Sequence, residues 1–95
     1  MSALLIGLLT VRETDWQETY RKELPAVLQA HAGRILAAAP PEQFEGSEAP
    51  DRLVIFEFPD LASARRWYTD PAHQRLVTLR QSGSSLELLG LELNR

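Results

Sequence analysis

The chain has 95 residues, 13 acidic against 10 basic, a formal charge of −3 and no cysteine. A single domain of this length buries only about 60 to 65% of its unfolded surface, so a partner subunit would help to stabilise it. Scattered arginines argue against nucleic acid as the main partner, and the lack of cysteine excludes disulfides and suits a reducing cytoplasm. We therefore expect one cytoplasmic domain over residues 1–95.

The first predicted element is a strand at residues 3–11, ALLIGLLTV, which is apolar on both faces. Its apolar run is too short to cross a membrane and has no basic segment before it, so we expect neither a signal peptide nor a membrane span. A helix follows, with Thr14 or Asp15 as its cap. Pro25 is predicted to kink or split this helix and Gly33 to stop it.

The middle of the chain predicts two further strands separated by a loop. Residues 34–39 form a weak strand because alanine is a poor strand former, and residues 42–50 have the composition of an exposed loop. The third strand, residues 53–58, is mostly apolar on both faces. It places Val54, Phe56 and Phe58 on one face and Leu53, Ile55 and Glu57 on the other.

Two helix starts and a last strand complete the pattern. Asp60 is predicted to cap one helix, and Asp70 followed by Pro71 the next. The second of these helices is expected to end near residues 82–83, and residues 85–93 form a strand. This order predicts an α+β, ferredoxin-like βαββαβ fold with a four-stranded antiparallel sheet.

The predicted sheet explains why we expect a homodimer. Its first and third strands are central in this topology and are also the most apolar. Helices cover only one face of such a sheet, so the hydrophobic residues of the other face need another cover. A second copy of the sheet would supply it by two-fold symmetry and close a dimeric alpha/beta barrel.

Several short motifs, taken in order, indicate a family. They are the pair at residues 45–46, IFEFPD at residues 55–60, Ala64, the Trp-Tyr pair at 67–68, the Asp-Pro pair at 70–71, Gln74, Leu76 and Arg80. Together with Tyr20 and residues 31–34 they resemble domain-of-unknown-function family 1330, of the dimeric alpha/beta-barrel superfamily. The resemblance implies the fold and the dimer, while the family's biochemical role is largely unassigned. Ala32 and His73 depart from it, standing where Gly-Gly and a tyrosine are common.

His73 and Arg80 are the first candidate site residues. They are seven positions apart on one predicted helix face, where a base and a fixed cation can bind a carboxylate or stabilise an enolate. Arg80 also matches the family pattern, and a guanidinium suits bidentate anion recognition. The structural alternatives for His73 are a solvated helix face or a helix-start position chosen for local hydrogen bonding. For Arg80 the alternative is an ion pair with Glu45 or Glu57.

The other candidates have equally open interpretations. Glu57 is either a general base or a partner in a buried salt bridge, and Glu45 is part of a turn or a loop-borne site. The aromatic pair Trp67 and Tyr68 either lines a ligand pocket or belongs to the core, and the same two interpretations apply to Tyr20.

Two functions of different class remain after the other chemistries are set aside. Two separated histidines without cysteine make a zinc site improbable, there is no phosphate-binding loop or dinucleotide motif, and nothing calls for a cofactor. The first hypothesis is a cofactor-independent enzyme acting on a small apolar or aromatic acid, in which Arg80 orients the anion and His73 or Glu57 moves a proton. The alternative is a non-catalytic small-ligand-binding or stress-associated dimer.

Overall fold

The computed structural model describes residues 2–93 and has the predicted order of elements. They are β1 Ser2–Val11, α1 Gln17–Gln29, β2 Arg34–Ala39, β3 Arg52–Phe58, α2 Leu61–Thr69, α3 Pro71–Gln81 and β4 Ser84–Leu93. The strands pair antiparallel in the order β2-β3-β1-β4, so the first and third strands are central. The α+β, ferredoxin-like prediction is confirmed.

The two faces of the sheet have different surroundings. Along β1, Ala3, Leu5 and Leu9 are buried, whereas the intervening side chains are only partly covered. Register and alternation place a second apolar set on the face away from these buried residues, which we call the open face. The apolar residues of the open face include Leu4, Ile6, Leu8, Leu53, Ile55, Leu89 and Leu91.

Aromatic packing forms the centre of the core on the other face. The Trp67 ring lies 5.3 Å from the rings of both Phe56 and Phe58, measured between centroids. Leu24 and Leu28 of α1 complete the same buried cluster. These buried apolar side chains therefore pack α1 and α2 against the two central strands, β1 and β3.

The start of α1 and its proline differ from the predictions. The helix begins at Gln17, and Trp16 occupies the N-cap position without a capping side chain; its indole Nε1 instead donates to the Glu13 carbonyl at 2.6 Å. Pro25 was predicted to kink or split the helix; it lies inside one unbroken helix, so it does not split α1. The buried Leu24 side chain, next to the proline, holds this part of the helix against the core despite the missing amide donor.

Two adjacent residues at the end of α1, Ala32 and Gly33, have different structural roles. The Gly33 amide donates to the Leu28 carbonyl at 2.8 Å and the Ala32 amide to the Gln29 carbonyl at 3.1 Å, which is a Schellman closure. The left-handed residue of this closure is Ala32, with φ 59°, rather than the glycine. Gly33 is needed for another reason, because a Cβ there would overlap the Phe58 ring.

We expect opposite stability effects at these two positions. Ala32→Gly should raise the free energy of unfolding by about 1 kcal/mol, because it removes the steric cost of a Cβ in the left-handed region. Gly33→Ala should lower it through the clash with Phe58. Urea unfolding of both variants measures the two changes, and an Ala32→Gly variant less stable than the natural chain would refute the closure described above.

Both predicted aspartate caps are confirmed. Asp60 Oδ1 accepts from the Ser63 amide at 2.7 Å and Asp70 Oδ1 from the Ala72 amide at 2.9 Å. The other oxygen of Asp70 accepts from His31 Nε2 at 2.8 Å. One carboxylate thus joins the end of α1 to the junction of α2 and α3.

Acid should weaken this junction. The hydrogen bond from His31, followed by that from the Ala72 amide, lowers the pKa of Asp70 below that of an unfolded carboxyl. Because the pKa of Asp70 is lower in the folded than in the unfolded state, ionised Asp70 stabilises the fold at any pH above the unfolded-state pKa. This stabilisation is lost as the pH falls below about 4. Asp70→Asn should therefore be less stable than the natural chain at neutral pH, with the gap closing in acid. Thermal unfolding across this range is the measurement, and a gap independent of pH would contradict the prediction.

Candidate functional site

A cavity of about 420 Å³ lies between α1 and the helix side of the sheet. We call it the α1 cavity. Its volume is in the range of pockets that hold small ligands. Most of its wall is apolar and includes Leu9, Trp16, Leu24, Ile35, Val54 and Phe56.

Arg80 brings a buried positive charge to this cavity. The residue lines the cavity from α3 and is only 5% exposed. Its Nε has no hydrogen-bond partner. Within residues 2–93 the ion pairs are His31 with Asp70 and Arg34 with Glu57, so no carboxylate of the described chain pairs with Arg80. A buried guanidinium without an anion is costly by several kcal/mol.

Tyr20 presents a neutral donor at the same place. It projects from α1 into the cavity, and its ring meets Trp16 edge-on with centroids 5.5 Å apart. Burial raises the pKa of the Tyr20 phenol, and the neighbouring Arg80 offsets part of this rise. The phenol therefore keeps its proton at neutral pH and can donate a hydrogen bond beside the guanidinium.

The mouth of the cavity is also cationic. Arg21 and Arg52 contribute to its lining, and no aspartate or glutamate does so among the described residues. Arg52 is held in place by a hydrogen bond from its Nη2 to the Ala38 carbonyl at 3.0 Å. Although the whole chain is acidic, this region therefore favours an anion.

His73 is buried beside the cavity region but does not line it. Its ring stacks on Trp67 with centroids 3.9 Å apart, and Nδ1 lies 3.3 Å from the Tyr68 carbonyl. Since a carbonyl only accepts, Nδ1 carries the proton, and Nε2 is left without a partner. Burial lowers the pKa of His73, so the imidazole is neutral at neutral pH.

The two glutamates of the predicted site lie elsewhere. Glu57 is on the open face, where its Oε1 accepts from Arg34 Nη2 at 2.6 Å and from Arg34 Nε at 2.8 Å. The sheet separates it from the α1 cavity. Glu45 is exposed in the loop between β2 and β3. Glu57 and Glu45 are therefore not grouped with Arg80 at the α1 cavity.

The aromatic pair is divided between core and surface. Trp67 is 1% exposed and belongs to the core, whereas Tyr68 is 39% exposed. Tyr68 lines a second, open cavity of about 310 Å³, which we call the α2 groove. Leu61, Ala64 and Arg65 of α2 line it together with Leu86 and Leu88 of β4.

Sequence reasoning missed part of the α1 cavity. Tyr20 and Arg80 were identified through the family resemblance, but Arg21, Arg52 and Leu86 were not. No local motif marks these three residues, because they meet only when α1, β3 and β4 assemble. Within residues 2–93, no group of three or more His, Asp or Glu side chains is placed to hold a metal ion. No helix in the same range is long and apolar enough to cross a membrane.

Comparison with known proteins identifies a family. Residues 2–93 match the family described as Domain of unknown function (DUF1330). No curated protein matches the chain.

Similar solved structures share the fold at low sequence identity. A protein of unknown function from Rhodopseudomonas palustris has TM-score 0.82 and 18% identity, over 99% of this chain and 83% of that one. SnoaB, a cofactor-independent oxygenase from Streptomyces nogalater, has TM-score 0.71 and 14% identity, over 99% and 94%. A dimeric ferredoxin-like protein of unknown function from Jannaschia has TM-score 0.66 and 18% identity, over 98% and 100%.

Proposed function

The chain belongs to the family Domain of unknown function (DUF1330), and from that premise we propose that it is a homodimer that binds a small apolar or aromatic carboxylic acid in the α1 cavity. The observation that carries this proposal is Arg80, a buried guanidinium with no carboxylate partner in residues 2–93. The ligand's carboxylate supplies the missing counter-charge.

The rest of the cavity fits the remainder of such a ligand. Tyr20 donates a hydrogen bond to a second oxygen of the acid, while Leu24 and Phe56 contact its apolar part. The exposed arginines at the mouth, Arg21 and Arg52, favour the approach of an anion over that of a cation. Charge and apolar surface together select an amphipathic acid rather than inorganic phosphate.

Binding without turnover is the function that the geometry supports best. The enzymatic alternative requires a group that moves a proton beside the bound acid. Neither His73 nor Glu57 lines the α1 cavity, and Glu57 is on the far side of the sheet. The oxygenase activity in the name of SnoaB belongs to that protein, whose likeness to this chain supports the fold.

The open face supports the homodimer. It presents aliphatic side chains from β1, β3 and β4, among them Leu89, which is 64% exposed. An exposed apolar surface of this extent is unfavourable in water unless another surface covers it. A second copy packed by two-fold symmetry buries the same residues on both subunits, and the Jannaschia neighbour is described as dimeric.

Calorimetric titration with hexanoate and hexanamide tests the ligand class. The two ligands have the same apolar chain and differ in charge at one end. We expect hexanoate to bind and hexanamide to bind at least about tenfold more weakly, because only the acid neutralises Arg80. Benzoate and benzamide provide the aromatic pair. Equal affinity of acid and amide in both pairs would overturn the proposal.

A further inference from the structure

Leu86 is shared by the linings of two cavities on the helix side of the sheet. Its half-buried side chain lines both the α1 cavity and the α2 groove. Those two spaces therefore adjoin at one residue of β4.

Gly7 of β1 lies against the Leu86 side chain. On β1, a Cβ added to Gly7 would lie 3.0 Å from Leu86 Cδ1 and 3.5 Å from Leu88 Cδ1. The absence of a side chain at Gly7 leaves the space in which Leu86 lies. A leucine side chain changes rotamer readily, whereas a strand backbone does not move aside.

The α2 groove continues the apolar path beyond Leu86. Leu5 and Leu88 line it, and α2 adds Leu61 and Ala64. At its outer side are the Arg65 side chain and the Tyr68 ring. The chain of an acid can therefore stay in apolar contact after it leaves the α1 cavity.

We propose that Leu86 sets the length of acid that the protein accepts. The carboxylate lies at Arg80, and the apolar chain passes Leu86 into the α2 groove. The preferred ligand is then an unbranched acid longer than the α1 cavity alone can hold. This inference rests on the proposed function, since it places the head of the ligand at Arg80.

A homologous series of straight-chain acids, from butanoate to dodecanoate, tests the inference by calorimetry. For the natural chain we expect the affinity to rise about fourfold per methylene group, and to keep rising past the length that fills the α1 cavity. In Leu86→Phe, a bulkier ring closes the passage. Its affinity should stop rising at a shorter acid than it does in the natural chain.

Two further variants keep the test decisive. Leu36→Phe is the matched control, since Leu36 is 46% exposed and lines neither cavity, and it should behave like the natural chain. Leu86→Ala widens the passage and should favour an acid ending in a phenyl ring over the straight-chain acid of equal length.

The outcomes separate this inference from the proposed function. If the short acids bind, and Leu86→Phe and Leu86→Ala both keep the natural chain's length dependence and ring discrimination, Leu86 does not set the accepted length and only this inference fails. If no acid binds the natural chain, both fail.

Discussion

Replacing Arg80 with methionine should abolish acid binding while leaving the protein folded. Loss of one partner from a buried charge pair costs about 2 to 5 kcal/mol, so the affinity for hexanoate should fall at least about thirtyfold. The ligand-free variant should be as stable as the natural chain or more stable, because methionine removes a buried charge that has no carboxylate partner in residues 2–93. Calorimetry measures the affinity, and urea unfolding measures the stability.

The matched control is Arg21→Met. Arg21 also lines the α1 cavity but is exposed at its mouth, so its charge is screened by water. We expect it to weaken binding only slightly and chiefly at low salt. If Arg80→Met instead lowers stability sharply and keeps the affinity, the guanidinium is a structural group and the binding role is wrong.

Placing an acidic residue in the centre of the open face should prevent the proposed homodimer from forming. Ile6 pairs with Ile55 on one side and with Leu89 on the other, so it lies in the middle of the apolar surface. In Ile6→Asp, dimerisation through this face would bury an unpaired carboxylate from each subunit, which costs several kcal/mol per charge. Sedimentation at micromolar concentration should show a dimer for the natural chain and a monomer for the variant.

Tyr68→Asp is the control for this experiment. Tyr68 is also a partly exposed hydrophobic residue, but it lies on α2, on the other side of the sheet from the open face. The control should stay dimeric. A natural chain that sediments as a monomer would refute the homodimer directly. Dissociation of both variants would indicate that the open face is not the specific interface.

The fold was largely predictable because its signals are local. Short apolar runs define β1 and β3, and Asp60 and Asp70 mark the helix starts at which their side chains act as caps. The local rules failed where packing outweighs propensity. Pro25 does not split α1, and Ala32 rather than Gly33 takes the left-handed conformation.

The site was predictable only in part because it depends on contacts between distant segments. Arg80 and Tyr20 were found, since both match the family pattern and both line the α1 cavity. Glu57 was grouped with them because it lies near the same segment of the sequence as His73 and Arg80. Adjacent strand residues point to opposite faces, so the neighbour of a cavity residue is on the wrong side of the sheet. His73 is on the same helix as Arg80, but its ring is stacked on the Trp67 ring.

A crystal structure of the protein with hexanoate tests the central claim most directly. We expect the hexanoate carboxylate to lie within hydrogen-bond distance of the Arg80 guanidinium, with the Tyr20 phenol beside it and the alkyl chain against Phe56. A hexanoate bound only on the protein surface, or held in the α1 cavity with its carboxylate away from Arg80, would contradict the proposed binding of an acid at Arg80.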